Sequence, residues 1–346
     1  MGPVLRISHR AFVSNIAAVR ARIAPSALMV VMKDDAYGHG IEWATDVAAR
    51  VGVDWFGSYD VRSGIRVRTA LGERPARVFA WATSALDEVE DALRADVDLG
   101  VGTEAYLQMI IDAAARTGCR ARVHLKIDTG LHRNGIRPEE WAAAVARARE
   151  AERAGLISVV GIWSHLAEAS DAEDDAAQAV FHEAATVLRG AGCELEVEHL
   201  TASAASWWRP ELRGSLCRIG AFCYGIRSAD GPELEGVRPI ARLEAEVLSV
   251  DEGRATVGIG SFDGVPSVLA GAVVGTDVGA RELLRIAETT SQVAIWPGAT
   301  AGDRVRMFGP GDRGEMSATA LAERIDTVGE EVITRLTTRV RRVIEE

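Results

Sequence analysis

Eight short apolar runs recur through the first two thirds of the chain, and alanine-rich amphipathic stretches separate most of them. The runs cover residues 27–33, 55–59, 77–81, 97–101, 121–127, 158–164, 195–200 and 216–219. Such runs are typical of strands buried on both faces, and helical patterns between them indicate a parallel sheet. Because eight such units in roughly 250 residues are the pattern of a closed barrel, we predict an α/β fold built on a (β/α)8 TIM barrel.

The pattern changes after about residue 230, where short β-like runs are joined by Gly, Asp and Pro. They cover residues 240–250, 254–259, 269–274, 283–286 and 304–308, and a charged, partly helical stretch follows over 317–344. A chain of 346 residues also exceeds the size that one core usually supports. We therefore predict a barrel domain over residues 1–230 and a mainly β C-terminal domain over residues 231–346.

Composition argues against several classes of partner. The net charge of -11 disfavours nucleic acid and anionic membrane surfaces, so we expect neither as a partner. The four cysteines have no CxxC or metal-ligand spacing, so we expect no metal site and no disulfide framework. The sequence has no leader-like pattern and no apolar stretch of about 18 residues, so we expect a cytoplasmic protein.

Lys33 ends the first apolar run and is followed by a small, glycine-rich turn over residues 34–40. A buried strand thus delivers an amine to its C-terminal end, where barrels of this type place their active sites. A desolvated lysine has a lowered pKa and can condense with a carbonyl group as a Schiff base. The alternative is a strand-end lysine that simply emerges into water.

Other polar residues end the later strands. Lys126 and Asp128 end the fifth run, His165 follows the sixth, Ser203 follows the seventh, and Arg218 lies on the eighth. Each could be a structural residue on its own. Because the C-terminal ends of parallel barrel strands share one rim, we predict that these groups form one active site with Lys33.

Five segments resemble the alanine racemase family, which consists of fold-type III pyridoxal 5′-phosphate (PLP) enzymes. Residues 30–40 are similar to the family's PLP-lysine motif, and residues 123–135, 161–167, 199–205 and 217–226 are similar to its strands five to eight. The resemblance extends over nearly the whole chain and in the same order. It implies PLP as the cofactor, an amino acid as the small-molecule substrate, and a head-to-tail homodimer.

The resemblance also implies roles for single residues. Lys33 would carry PLP as an aldimine and act as a base at the substrate Cα. The implied cofactor-binding residues are Lys33, Tyr37, His165, Ser203, Arg218, Gly220 and Ala221, and the implied catalytic residues are Lys33, Arg133 and His165. Structural alternatives are core packing for Tyr37 and a helix cap for Ser203.

Arg218 matches the arginine that faces the pyridine nitrogen of PLP in this family. An arginine keeps its proton, so the ring nitrogen stays unprotonated and the ring is a weaker electron sink than with a carboxylate partner. This favours racemisation over transamination. Lys126 matches a lysine that is carbamylated in many members, and Arg133 matches the arginine that it orients towards the substrate. An ordinary Lys126–Asp128 surface pair is the alternative.

Several positions depart from the family pattern. Its second catalytic base, a tyrosine, is expected between Val250 and Val257, but that stretch contains no tyrosine. Residues 258–264 differ from the usual Gly-Tyr-Ala-Asp-Gly pattern. Further replacements are Asp34-Asp35 for Ala-Asn, Ala202 for asparagine, Glu288-Thr289 for Met-Asp, and Glu330 for a tyrosine. The positions expected to contact the substrate are thus the ones that changed.

These observations predict a PLP-dependent amino-acid racemase or epimerase that transfers a proton at Cα through Lys33, acting on an amino acid other than alanine. Glu288 and Cys223 are candidate replacements for the second base. One alternative is another PLP reaction with Lys33 as sole base, namely decarboxylation, retro-aldol cleavage or elimination. Another is a non-catalytic PLP carrier or regulatory protein.

Overall fold

A computed structural model describes residues 2–346, which form two compact units. One unit contains residues 20–33 and 41–220, and we call it the barrel unit. The other contains residues 2–19, 34–40 and 221–346, and we call it the β unit. Among residues 2–346, none of the helices combines the length and apolarity needed to cross a bilayer.

The barrel unit is built on eight parallel strands. They are Ala27–Val31, Trp55–Ser58, Arg77–Ala80, Asp98–Val101, Ala121–Lys126, Ile157–Trp163, Val197–His199 and Leu216–Ile219. The first seven pair in sequence order, and the eighth pairs with the first. Near the seam between the last two, the Arg218 N–H donates to the Thr201 carbonyl at 3.4 Å. The predicted parallel barrel is confirmed.

Helices follow most of the strands. They are Ile41–Arg50, Val61–Leu71, Leu86–Arg94, Glu104–Thr117, Pro138–Arg153, Asp171–Gly190 and Ser203–Trp208, with a 3-10 turn at Pro210–Leu212. Asp60, Thr103 and Ser170 each accept a hydrogen bond from a backbone N–H in the first turn of the helix that follows. Such caps satisfy backbone donors that a helix leaves unpaired, and so fix where these helices begin.

Large rings fill the barrel interior, and glycines on neighbouring strands make room for them. Phe79, Trp163, His124 and His199 are all buried. The ring centres of Phe79 and His124 lie 4.6 Å apart, and those of Trp163 and His199 lie 6.0 Å apart in a stacked arrangement. A Cβ atom at Gly161 would lie 2.5 Å from Nδ1 of His124. The absence of a side chain at Gly161 therefore leaves room for the imidazole of His124 in the barrel interior.

The β unit contains a second eight-stranded sheet. In spatial order its strands are Arg254–Val257, Ser291–Ala294, Gly279–Ile286, Val273–Thr276, Arg304–Phe308, Ala241–Asp251, Val4–Ser8 and Arg341–Glu345. All neighbours are antiparallel except the last two, which run parallel. Its helices are His9–Ile23, which continues into the barrel unit, Ala318–Glu323 and Gly329–Thr334, with 3-10 turns at Ala221–Tyr224, Ser261–Asp263 and Ser267–Leu269.

The mainly β character of the C-terminal region is confirmed. The sequence pattern did not predict the strand Val4–Ser8, which joins this sheet from the other end of the chain. Its five residues pair with Ala241–Asp251 on one side and Arg341–Glu345 on the other. So short a run has too few residues for a period to be recognised.

We expect Gly161→Ala to lower the free energy of unfolding by about 1–3 kcal/mol, because the added methyl group would overlap a ring that cannot easily move. His124 is held by a hydrogen bond between its Nδ1 and Nε2 of His199. Urea titration followed by far-ultraviolet circular dichroism measures the change.

Gly190→Ala is the matched control, because nothing lies within 4 Å of the added Cβ and the residue closes the helix Asp171–Gly190. We expect this variant to match or exceed the stability of the natural chain. A Gly161→Ala protein as stable as the Gly190→Ala protein would contradict the packing described here.

Candidate active site

Lys33 follows the first barrel strand directly. The Met32 N–H donates to the Gly57 carbonyl at 2.7 Å, so pairing with the second strand continues to the residue before the lysine. Lys33 itself is half-buried. Its amine is therefore anchored at the C-terminal rim of the barrel by a backbone that is fixed up to the preceding residue.

The backbone after Lys33 has an unusual conformation. Asp34, Asp35, Ala36 and Tyr37 all lie in the left-handed region, with φ between 53° and 56°. For residues other than glycine this costs roughly 1–2 kcal/mol each. Strain of this kind is retained where surrounding structure enforces it, and it clusters at functional sites. The turn therefore indicates, independently of any motif, that residues 34–37 are a candidate functional segment.

Tyr37 lies within an aromatic cluster of the β unit. Its ring centre is 4.9 Å from that of Tyr224, which in turn stacks on His39 at 5.1 Å. Burial, with a smaller contribution from the charge of Glu330, raises the pKa of Tyr37 well above its ordinary value. The hydroxyl therefore remains protonated and can donate a hydrogen bond. Its predicted role as a phosphate ligand stays a prediction.

Arg218 is buried in the barrel unit and its guanidinium is surrounded by backbone carbonyls. Nη1 donates to the His199 carbonyl at 2.6 Å, and Nη2 donates to the carbonyls of Ser164 at 2.7 Å and Leu200 at 3.1 Å. The guanidinium carbon also lies 5.3 Å from the ring centre of Trp163. Burial lowers the pKa of Arg218 to about 10, so the group is still a cation at neutral pH.

His165 lies beside this cation. Its Nδ1 is 3.4 Å from Nη2 of Arg218. Burial, together with the positive charges of Arg218, Arg133, Lys126 and Lys33, lowers the pKa of His165 to about 3. The imidazole is therefore neutral at physiological pH and can accept a hydrogen bond from the guanidinium. The structure therefore places the side chains of His165 and Arg218 next to each other.

Ser203 and Gly220 are also brought together, because the Gly220 N–H donates to Oγ of Ser203 at 3.2 Å. Ser203 begins the helix Ser203–Trp208, and the preceding Ala202 offers no side-chain cap. Instead the Ala205 N–H donates to Oε1 of Glu168 at 3.0 Å. Glu168 was not singled out from the sequence, because nothing in its local pattern indicates a cap 37 residues away.

Lys126 is in the interior and not on the surface, with an exposed fraction of 3%. Its Nζ lies 4.7 Å from the ring centre of Trp163. Burial lowers the pKa of Lys126 to about 8, and the charges of Arg218 and Arg133 act in the same direction. Asp128 accepts hydrogen bonds from Nδ1 of His132 and from the N–H of Gly130, so it serves the loop that follows. This arrangement does not fit an exposed Lys126–Asp128 pair.

Sequence reasoning overlooked a compositional signal that points to this site. The chain has 39 basic residues, and of these only Lys33 and Lys126 are lysines, while the other 37 are arginines. Arginine keeps its proton at neutral pH, whereas a lysine amine can become neutral and act as a nucleophile or base. Both lysines lie at the ends of barrel strands.

Sequence reasoning also missed a group of polar residues inside the barrel. His124, His199 and Asp98 are fully buried and connected by hydrogen bonds. They lie on strands whose apolar neighbours made the runs recognisable, and two of them occur within the segments that resemble the family. The sequence did contain one signal of this group, because Asp98 is a charged residue within the apolar run 97–101.

Of the two candidates for a replacement base, Cys223 is poorly suited to the role. Cys223 is fully buried, and burial raises the pKa of its thiol far above the ordinary value, so a thiolate is not available. Glu288 is exposed, and its backbone carbonyl accepts a hydrogen bond from the Phe262 N–H at 2.8 Å. The strands Ala241–Asp251 and Arg254–Val257 are joined directly through Glu252 and Gly253, which leaves no room for a longer segment.

Comparison with known proteins agrees with this geometry. The family model described as alanine racemase, N-terminal domain, matches residues 7–228, and the model for the C-terminal domain matches residues 244–344. The alanine racemase of Thermobifida fusca is 35% identical, over 98% of this chain and 96% of the relative. That of Beutenbergia cavernae is 36% identical, over 96% of this chain and 95% of the relative.

Solved structures show the same similarity. The alanine racemase from D-cycloserine producing Streptomyces lavendulae superposes with a TM-score of 0.91 at 29% identity, covering 100% of this chain and 97% of the other. The alanine racemase from Streptomyces coelicolor A3(2) gives a TM-score of 0.91 at 30% identity, covering 99% and 98%.

The buried amine of Lys126 has a measurable consequence for stability. Its pKa is about 8 in the folded chain and about 10.4 in an unfolded one, so between these values the unfolded state binds more protons. Stability then rises with pH across this window. We expect the unfolding free energy of the natural chain to gain about 3 kcal/mol relative to Lys126→Met between pH 7 and pH 11.

Denaturant titration in buffers free of carbon dioxide measures this difference. Arg137→Met, which removes an exposed cation, is the control, and we expect its stability curve to run parallel to that of the natural chain. Parallel curves for the natural chain and Lys126→Met would show that the lysine is not desolvated.

Proposed function

The chain belongs to the alanine racemase family, and on that premise we propose that it is an amino-acid racemase or epimerase in which Lys33 moves the Cα proton of a substrate other than alanine. The family consists of PLP-dependent isomerases, and this chain is of that type. The observation that carries the proposal is the buried Arg218, whose guanidinium is fixed by three carbonyls and bordered by a neutral His165.

The residues present fit PLP. A half-buried lysine at the end of a barrel strand suits covalent attachment of the aldehyde. The fixed guanidinium of Arg218 could donate a hydrogen bond to the pyridine nitrogen of PLP. His165, which lies beside Arg218, could pack against the face of the pyridine ring. For the phosphate we propose Ser203 with the backbone N–H groups of Gly220 and Ala221, together with the hydroxyl of Tyr37.

When bound, PLP withdraws electrons from Cα and so makes its proton removable. The chain supplies the proton transfer and the restraint on side reactions. Lys33 takes a proton from Cα or returns one to it. Arg218 remains charged at neutral pH and cannot act as an acid there, because its pKa of about 10 is far above that of any ring nitrogen it faces. This arrangement limits how much charge the ring nitrogen accepts, which favours return of the proton to Cα.

Arg133 and Lys126 are proposed to act on the substrate carboxylate. Arg133 is exposed on the loop that follows the fifth barrel strand, where it can reach a ligand. Lys126 has a pKa of about 8, so a fraction of its amine is neutral at physiological pH. A neutral amine can form an N–C bond with carbon dioxide and release one proton to water, which gives a carbamate anion. That anion would orient the guanidinium of Arg133.

A substrate other than alanine is supported by the regions that differ from the family pattern. The turn at Glu252 and Gly253 replaces the segment expected to carry the second tyrosine, and the Met-Asp pair is replaced by Glu288 and Thr289. All four tyrosines precede residue 225. Without a second base, proton transfer of this kind is typically slower by about 10² to 10⁴-fold. The turn also favours the second candidate, a one-face reaction that uses Lys33 alone.

We expect borohydride reduction of the PLP-loaded protein to fix the cofactor on Lys33. Because the chain has two lysines, peptide mapping distinguishes Lys33 from Lys126 without ambiguity. Lys33→Ala should lose the visible absorbance band and the labelled peptide. Lys126→Met is the matched control and should keep both. Labelling of Lys126 in the natural chain, or an unchanged band in Lys33→Ala, would overturn the assignment.

Incubation with a panel of L-amino acids in heavy water tests the reaction itself. We expect deuterium at Cα together with inversion, fastest for an amino acid other than alanine, with Lys33→Ala as the inactive control. For alanine we expect a rate roughly 10² to 10⁴-fold below that of the Thermobifida fusca enzyme assayed in parallel. Proton nuclear magnetic resonance (NMR) and chiral chromatography read out exchange and inversion.

The other outcomes of this assay are informative. Exchange with retention would favour one-face chemistry, and release of carbon dioxide would favour decarboxylation. Alanine as the fastest substrate would contradict the proposed specificity. Absence of exchange and of any product with every amino acid would leave only the carrier interpretation.

A further inference from the structure

A line of four buried polar side chains, Arg218, His199, His124 and Asp98, crosses the interior of the barrel unit, and we call this line the relay. Nη1 of Arg218 lies 3.2 Å from Nδ1 of His199, and Nε2 of His199 lies 2.8 Å from Nδ1 of His124. Nε2 of His124 then lies 3.2 Å from Oδ2 of Asp98. The exposed fractions are 0% for the last three residues and 5% for Arg218.

The chemistry of the two ends determines where the hydrogens are. A guanidinium only donates, so Nδ1 of His199 accepts and the ring hydrogen is on its Nε2. That hydrogen is donated to Nδ1 of His124, whose own hydrogen is therefore on Nε2. A carboxylate only accepts, and Asp98 takes this last hydrogen. Both ends require the same tautomers, so the line has one direction.

Asp98 is held as an anion at the far end. Nη2 of Arg77 donates to Oδ2 at 2.6 Å, and Nε of Arg122 donates to Oδ1 at 2.6 Å. Burial would raise the pKa of Asp98, but the hydrogen bond from His124 and the two arginines keep it below its ordinary value. A carboxylate in this setting is a poor proton acceptor.

The two imidazoles are correspondingly neutral. Burial lowers the pKa of His124, although its hydrogen bond to Asp98 acts in the opposite direction. Burial lowers the pKa of His199 well below its ordinary value, and His124 and Arg218 add to the effect. These rings also contact the aromatic side chains of Phe79, Trp163 and Trp55.

Filling space alone does not account for this arrangement. Four buried polar groups carry a desolvation cost that apolar side chains of similar volume would avoid. The line instead connects the Arg218 cation to a remote anion through one hydrogen of its Nη1. Passing the Arg218 proton inward would end with a protonated Asp98, which two arginines and a hydrogen bond disfavour.

We propose that Asp98, His124 and His199 are positioning residues that hold Arg218 in one orientation and keep its proton in place, so that the ring nitrogen of PLP meets a permanent donor. The hydrogen bonds of the relay are formed by side chains of this protein and do not require bound PLP. The effect of the relay on the ring nitrogen rests on the proposed function.

The first test observes the relay in the protein without added PLP. With ¹⁵N-labelled histidine, we expect the rings of His124 and His199 to be neutral Nε2–H tautomers whose shifts do not change between about pH 5 and pH 8, where an unperturbed histidine titrates. His124→Phe and His199→Phe assign the two signals among the seven histidines. An Nδ1–H tautomer or a titration in this range at either ring would overturn the relay.

The second test loads the protein with ¹⁵N-labelled PLP and follows protonation of its ring nitrogen with pH. We expect the midpoint to rise by about 0.5 to 1.5 pH units in His124→Phe and in Asp98→Asn, because Arg218 is held less firmly. Arg218→Glu is the reference for a protonated ring. Glu196→Gln is the matched control, because Glu196 pairs with the outer side of Arg77, and it should leave the midpoint unchanged.

The outcomes separate the possible failures. An unchanged midpoint in both relay variants, with thermal unfolding showing that they are folded, would overturn the positioning role. If one variant does not fold, the other variant and the histidine spectra of the natural chain still decide. If PLP leaves no visible band in the natural chain, the proposed function fails and the positioning role fails with it, while the histidine spectra still test the relay bonds.

Discussion

Burial of the Arg218 charge is the constraint on which the rest of the site depends. A guanidinium removed from water requires acceptors for its hydrogens, and at this position the chain supplies three carbonyls from two strand ends. Those carbonyls are available because the sixth and seventh strands end at neighbouring points of the rim. The cation then sets the state of its neighbours, since its charge helps to keep His165 neutral and to lower the pKa of Lys126.

The two units differ in how far the sequence pattern determined them. All eight barrel strands were predictable, because each is an apolar run long enough to stand out between helices. The strand Val4–Ser8 was not, because its role in the sheet depends on partners hundreds of residues away. The strand Ser291–Ala294 was overlooked as well, because the polar residues Ser291 and Gln292 make up half of it and it forms no apolar run.

The site was predictable where position on a strand determines it. Lys33, Lys126, His165 and Arg218 could be placed on one rim because parallel strands all point the same way. Their protonation could not be predicted, because it depends on burial and on charges from other strands. Asp98 shows the same limit, since only the packed barrel reveals that Arg77, Arg122 and His124 converge on it. Glu168 caps a helix through a contact that no local pattern records.

The restriction of lysine to two positions has a practical consequence for anyone handling this protein. Reagents that acylate or alkylate amines, including common dyes, biotin esters and aldehyde fixatives, have no lysine on which to act other than Lys33 and Lys126. Of these, Lys126 is buried and Lys33 is half-buried at the proposed catalytic rim. Modification of lysine side chains therefore reports on the site and not on the surface. Immobilisation through a lysine side chain would attach the protein at Lys33, and so would block the proposed catalytic rim.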